Sequence, residues 1–205
     1  MATTTKVTTA KQLTEIAQTV GKKYGYDRVG AEFSPFADFK VKWTRSYKWA
    51  EFTVSDYLVG ANKSIINDLF VCLFDRISGG EAKPYTKRFT AHVTSPDFAK
   101  AHRPTYLTRK RAEKESRREF CGTPVFYSKR GDARLTAIAS TLMNTIILNA
   151  KLKDAPAEVV DTVIAHEYNI IQNGLEMFGG KGCPVHCDTS IANDWLVRND
   201  LDGLL

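Results

Sequence analysis

From Val159 to Leu175 the apolar residues Val159, Val160, Val163, Ile164, Ile171 and Leu175 recur at the three- and four-residue spacing of one helix face, and in the middle of that face stands a carboxylate, Glu167. Pro156 opens this helix in its first turn and Phe178-Gly179-Gly180 closes it. An ionised Glu on a buried stripe costs several kcal/mol unless it finds a partner, so the position demands a hydrogen bond, a cation or a proton. Its neighbour His166 falls at the edge of the same stripe, beside Ile170 and Asn173. The plain reading is a solvent-edge His and a Glu bonded to a neighbouring chain; the alternative is a site.

The rest of the chain reads as one α+β domain. Leu13, Ile16, Ala17 and Val20 mark an amphipathic helix over about 9–23. Phe39, Val41 and Trp43 alternate with polar residues and Phe52 and Val54 repeat the pattern, which predicts a hairpin joined around 45–48. Ile65 to Ile77 returns to helical spacing and Gly79-Gly80 stops it. Ser95-Pro96 is a helix start; His102-Arg103-Pro104 is expected to break the chain before a basic helix that Cys121-Gly122 ends. Val125–Tyr127, Arg134–Ala139 and Asn144–Asn149 read as strands of a small sheet, the last two turning through Ser140–Met143. A Gly-rich stretch, Gly179–Cys187, leads to a last helix with Ile191, Trp195 and Leu196 as its buried side, and Trp43, Trp49 and Trp195 are assigned to the core. No internal repeat is visible. The expected organisation is a single domain over 1–205, with a peripheral tail and helix over 1–30 and a body from about 38 onward.

With 205 residues the chain can bury roughly 70% of its unfolded surface, so a core needs no disulfide framework. Its 13 Gly, 7 Pro and 4 Cys exclude collagen-like and disulfide-scaffold classes. No stretch approaches the roughly 18 to 20 apolar residues of a membrane span, and the expected setting is the cytoplasm, with Cys72, Cys121, Cys183 and Cys187 as free thiols or metal ligands. The charge is uneven. Lys100 to Arg134 holds eleven basic and four acidic residues, more than the whole excess of a chain whose net charge is +6. Arg109, Lys110, Arg111, Arg117 and Arg118 are therefore candidates for binding nucleic acid or another anion, against the plainer reading of a solvated helix laced with Glu113, Glu115 and Glu119.

The stretch Asn144–Asn149, Leu152, Ala155-Pro156, Glu158–Asp161 and Val163–Glu167, followed downstream by His186, resembles the SprT-like zinc metallopeptidases and related small zincins. That resemblance implies a short sheet packed on a His-Glu helix, preceded by further helices and a hairpin. It also implies zinc held by His166 and His186, with Glu167 as general base toward a peptide or protein substrate. Ile170 stands where the family has its second helix histidine, and an aliphatic side chain donates nothing to zinc. Three functions follow as expectations: a peptidase-like protein with an impaired, non-catalytic site; a zinc hydrolase rewired through Cys183 or Cys187; and a nucleic-acid or acidic-partner module acting through 100–134.

Overall fold

The computed structural model describes residues 6–79, 84–131 and 133–204. Gly80 of the expected helix stop, Asp132 of the basic segment and residues 1–5 of the polar start lie outside the described residues. The chain folds as two compact units, Met1–Val93 and Thr94–Leu205. The expected boundary near residues 30–38 falls inside the first of them.

In the first unit, Thr9 and Gln12 form a reciprocal capping box that starts α1 (Ala10–Lys23). Far from being peripheral, α1 buries Leu13, Ile16, Ala17 and Val20. Gly21 lets it lie close, since a Cβ there would fall 2.6 Å from Val29 and 2.8 Å from Phe74. Next come β1 (Arg28–Ser34), β2 (Val41–Arg45) and β3 (Trp49–Ser55), in the order β1-β3-β2. The β2-β3 hairpin is as expected, whereas β1, which runs parallel to β3, is absent from the expected elements although Val29, Ala31 and Phe33 alternate with polar residues and glycine. Trp43 is a correction: it lies on β2 and is 45% exposed, not core. A 3₁₀ turn, Asp56–Leu58, leads to α2 (Lys63–Ile77), whose Phe70 and Phe74 meet Phe52 edge-on at 5.3 and 5.2 Å. The short α3 (Lys87–Val93) is held by Asp68, which accepts from Arg88 twice, at 2.5 and 2.8 Å, and from Thr86 at 2.6 Å.

The second unit departs further from expectation. Ser95 caps α4 (Pro96–Arg109) through the N–H of Phe98, but Pro104 does not break the helix. Tertiary bonding overrides it. Phe98, Ala99, Tyr106 and Leu107 are buried on both sides of the proline, and Arg103 donates to Met143 O at 3.0 Å and to Thr145 Oγ1 at 2.9 Å. The expected basic helix after Pro104 is therefore replaced. Arg111 turns the chain at φ 54°, and the residues beyond it form a bent segment bonded to a later strand, Glu113 N–H to Tyr127 O and Arg117 N–H to Val125 O. Here β4 (Arg118–Phe120) pairs antiparallel with β5 (Thr123–Tyr127) through Cys121 (φ 48°) and Gly122 (φ 77°), a two-residue turn with both φ positive. The sheet is completed by β6 (Ala137–Ser140) and β7 (Thr145–Leu148), in the order β4-β5-β7-β6.

A second 3₁₀ turn, Ala150–Asp154, precedes α5 (Ala157–Met177), of which Pro156 is the cap rather than a first-turn residue. Its buried face packs with Val125, Ile146, Leu148, Leu152 and Leu196 into one core. The last helix, α6 (Ser190–Arg198), buries Ala192 and Leu196; Trp195 is half-buried and Ile191 is 52% exposed, so the expected face is rotated. Among the described residues no helix is long and apolar enough to cross a membrane.

Contrary to the absence of a visible repeat, one element order occurs twice. Helix, strand, antiparallel edge strand, central strand, 3₁₀ turn and helix run from α1 to α2 and again from α4 to α5, with β4 added in the second run.

Candidate functional site

The helix α5 delivers Glu167 to the core side of the second unit, where it is 6% exposed. Burial pushes its carboxyl up to about 7, against the opposing pull of a hydrogen bond from the backbone N–H of Ala139 on β6. His166 is half-buried and burial holds its imidazole below the usual range, so the neutral ring is favoured. The two side chains line one hollow of about 430 Å³ with Thr136, Asn169, Ile170 and Asp202.

The other expected zinc ligands do not line that hollow. The loop after α5 descends antiparallel along the helix: the N–H of Cys183 donates to Gln172 at 3.0 Å, and Val185 and Asn169 exchange two bonds at 2.8 and 2.9 Å. The Cys187 thiol then reaches Thr162 O at 3.5 Å. These bonds fasten the loop through its backbone. Cys183 and His186 are left exposed, and burial, together with Asp188, pushes the Cys187 thiol up. Ile170 is 45% exposed and offers no donor. Among the described residues no three His, Cys, Asp or Glu side chains gather where they could hold a metal ion.

A larger hollow, about 560 Å³, lies elsewhere in the same unit. Its cationic wall is built by two chain segments: Lys110 and Arg111 at the end of α4, and Lys129 and Arg130 just beyond β5. Local backbone bonding fixes them. Ala112 bridges Ser128, and the N–H of Lys129 donates to Arg111 O at 2.9 Å. Ser128 Oγ donates to Arg130 O at 2.7 Å and accepts the N–H of Ala150 at 3.0 Å, which ties the second segment to the turn after β7. Leu135, Ala137 and Ile147 give the hollow an apolar floor.

Of the five basic residues expected to bind anions, only Lys110 and Arg111 line this hollow. Arg117 pairs with Glu113 at 3.1 Å, and Arg118 with Asp161 at 2.5 Å; Arg109 is half-buried and does not line it. Glu113 also receives Lys153 at 2.6 Å, and these hydrogen bonds from Lys153 and Arg117 hold its carboxyl below the usual range. Lys129 and Arg130 were missed as site residues. Their one signal was membership of the basic segment, because the pairing that brings them to Arg111 is a contact across the fold. No family model, curated protein or solved structure matches the chain.

Proposed function

We propose that the second unit binds the phosphate backbone of a nucleic acid at the hollow walled by Lys110, Arg111, Lys129 and Arg130. One observation carries this reading: four cationic residues from two segments line one concave surface, and a backbone bond between the segments holds them side by side. Cations gathered in a cleft attract a polyanion by releasing its condensed counterions, and the apolar floor suits the face of a base or sugar. A cytoplasmic setting accords with the four thiols, none of which is in a disulfide. The test is titration of a labelled single-stranded oligonucleotide at increasing salt. Four phosphate contacts give a log–log slope of about −3. Binding to an acidic polypeptide but to no nucleic acid would move the reading to an acidic protein partner.

A second reading keeps the peptidase resemblance and is favoured by the Glu167 hollow. A carboxyl poised near neutrality beside a neutral imidazole suits proton transfer to a bound substrate. In that reading the protein is peptidase-like, either impaired or active with zinc. Cleavage of a peptide library that Glu167→Gln abolishes, by protein that carries stoichiometric zinc, would establish the active form.

A further inference from the structure

The two units agree in more than element order. In the first, β1 and β3 are parallel with Ala31 opposite Phe52; in the second, β5 and β7 are parallel with Val125 opposite Ile146, the same separation of 21 residues. The 3₁₀ turns begin at Asp56 and Ala150, and the helices after them at Lys63 and Ala157, both 94 residues apart. Carried along α2 and α5, that offset superposes the buried positions: Ile65 on Val159, Ile66 on Val160, Leu69 on Val163, Phe70 on Ile164, Phe74 on Tyr168 and Ile77 on Ile171.

The leading helices agree at a second constant offset. Both α1 and α4 have 14 residues, 86 positions apart, and each begins with a hydroxyl side chain, Thr9 or Ser95, accepting the N–H three residues on. They also end alike. The N–H of Tyr26 returns to Gly21 O at 3.1 Å, and that of Ala112 to Leu107 O at 2.9 Å, the same closing bond of a helix that exits through a left-handed residue. Between the two offsets lie eight extra residues, the span of the inserted segment that contains β4.

Matched in this way, the units differ where the second one's sites lie. The left-handed exit residue is Gly25 (φ 83°) in the first and Arg111 (φ 54°) in the second. A side chain rarely adopts that conformation, and glycine adopts it freely. Tyr24 stands opposite Lys110, Pro35 opposite Lys129 and Phe36 opposite Arg130, so every cation of the hollow has an uncharged counterpart. On the second helix Leu73, 2% exposed, stands opposite Glu167. The fold itself is satisfied by glycine at the helix exit and by leucine on the stripe.

We infer that the chain is an internal duplication of one helix–three-strand–helix unit, and that Arg111 is the residue the second copy commits to a phosphate-bearing ligand, at a place where the first copy keeps the glycine its backbone favours. The assignment of Arg111 rests on the phosphate reading given above; the duplication does not.

Two substitutions in the full-length chain, each restoring the first copy's residue, test both parts. Arg111→Gly relieves a disfavoured backbone, and Glu167→Leu removes a buried carboxyl, so each leaves the thermal midpoint unchanged or raises it. A lowered midpoint for either overturns the duplication, because equivalent positions must accept each other's residues. In oligonucleotide titrations Arg111→Gly weakens binding severalfold and makes the salt slope shallower by about one. Unchanged affinity and slope overturn Arg111's assignment. A wild-type chain that binds no oligonucleotide at low salt sinks the phosphate reading and that assignment together, while the midpoints still judge the duplication.

Discussion

The backbone N–H of Lys129 donates to the carbonyl of Arg111 at 2.9 Å, so two basic stretches 18 positions apart are clamped side by side by the main chain and not by their charges. Neighbouring like charges repel, and a frame of hydrogen bonds holds these segments together. Ser128 completes the frame through its bonds to Arg130 O and Ala150 N.

Ser128→Ala removes both of those bonds without changing any charge. The expected cost to stability is about 1–2 kcal/mol, and oligonucleotide affinity falls severalfold while the salt slope stays that of the wild type. Chemical unfolding and titration at two salt concentrations check this. A shallower slope would mean that a phosphate contact, not its positioning, had been lost.

Glu167 sets a pH dependence with a definite sign. Its folded carboxyl titrates near 7 and its unfolded one near the ordinary 4.5, so between these values the folded state binds more proton. Stability therefore falls as pH rises through that window, by on the order of 3 kcal/mol, and levels off above it. Glu167→Gln should flatten this fall. Urea unfolding at pH 5 and pH 8 measures the difference, and an equal drop in wild type and variant would contradict the account.

Arg103 places a half-buried guanidinium against Met143 O, Thr145 Oγ1 and Asn144 O, at 3.0, 2.9 and 3.3 Å. Burial lowers its pKa, yet an arginine so placed remains charged. Arg103→Ala should cost about 2–3 kcal/mol, and Arg103→Lys should recover only part of it, because an ammonium cannot reproduce the planar fork. Calorimetric midpoints of the two variants decide the point.

In the first unit, burial works to raise the Asp68 carboxyl, but the hydrogen bonds from Arg88 and Thr86 win and its pKa falls below the usual range. The stabilisation it gives is present above the ordinary carboxylate pKa and is lost as pH falls through the lowered one. Asp68→Asn should lower stability by about 1–2 kcal/mol at neutral pH, with the gap closing in acid. Hydrogen exchange should report the loss first in α3, which these bonds anchor.

Local signals made much of this fold legible. The Ser95 cap, the β2-β3 hairpin, the apolar stripes of α2 and α5 and the burial of Glu167 all follow from spacing and residue type. What escaped depends on distant contacts. Pro104 stays helical because α4 is bonded and buried on both sides of it, and the parallel pairing of β1 with β3 is likewise a contact across the fold, although the alternation of Val29, Ala31 and Phe33 was a local sign of the strand. The basic residues 110–118 read as a helix because their charge alternation is equally compatible with an extended edge. The repeat was hidden because the copies share apolar class at positions such as Phe70 and Ile164 rather than identity. All four cations of the hollow belong to the legible charge excess; that Lys129 and Arg130 join Lys110 and Arg111 depended on the pairing with Arg111.

The most direct measurement compares the salt dependence of oligonucleotide binding by the wild-type chain with that of the double variant Lys129→Ala/Arg130→Ala. Both residues sit at the surface outside the core, so folding should be preserved to within about 0.5 kcal/mol. The account predicts a wild-type slope near −3 that falls to about −1.5 in the variant, with affinity reduced at least tenfold at low salt. Identical slopes and affinities for the two proteins, or a wild-type interaction indifferent to salt, would contradict it.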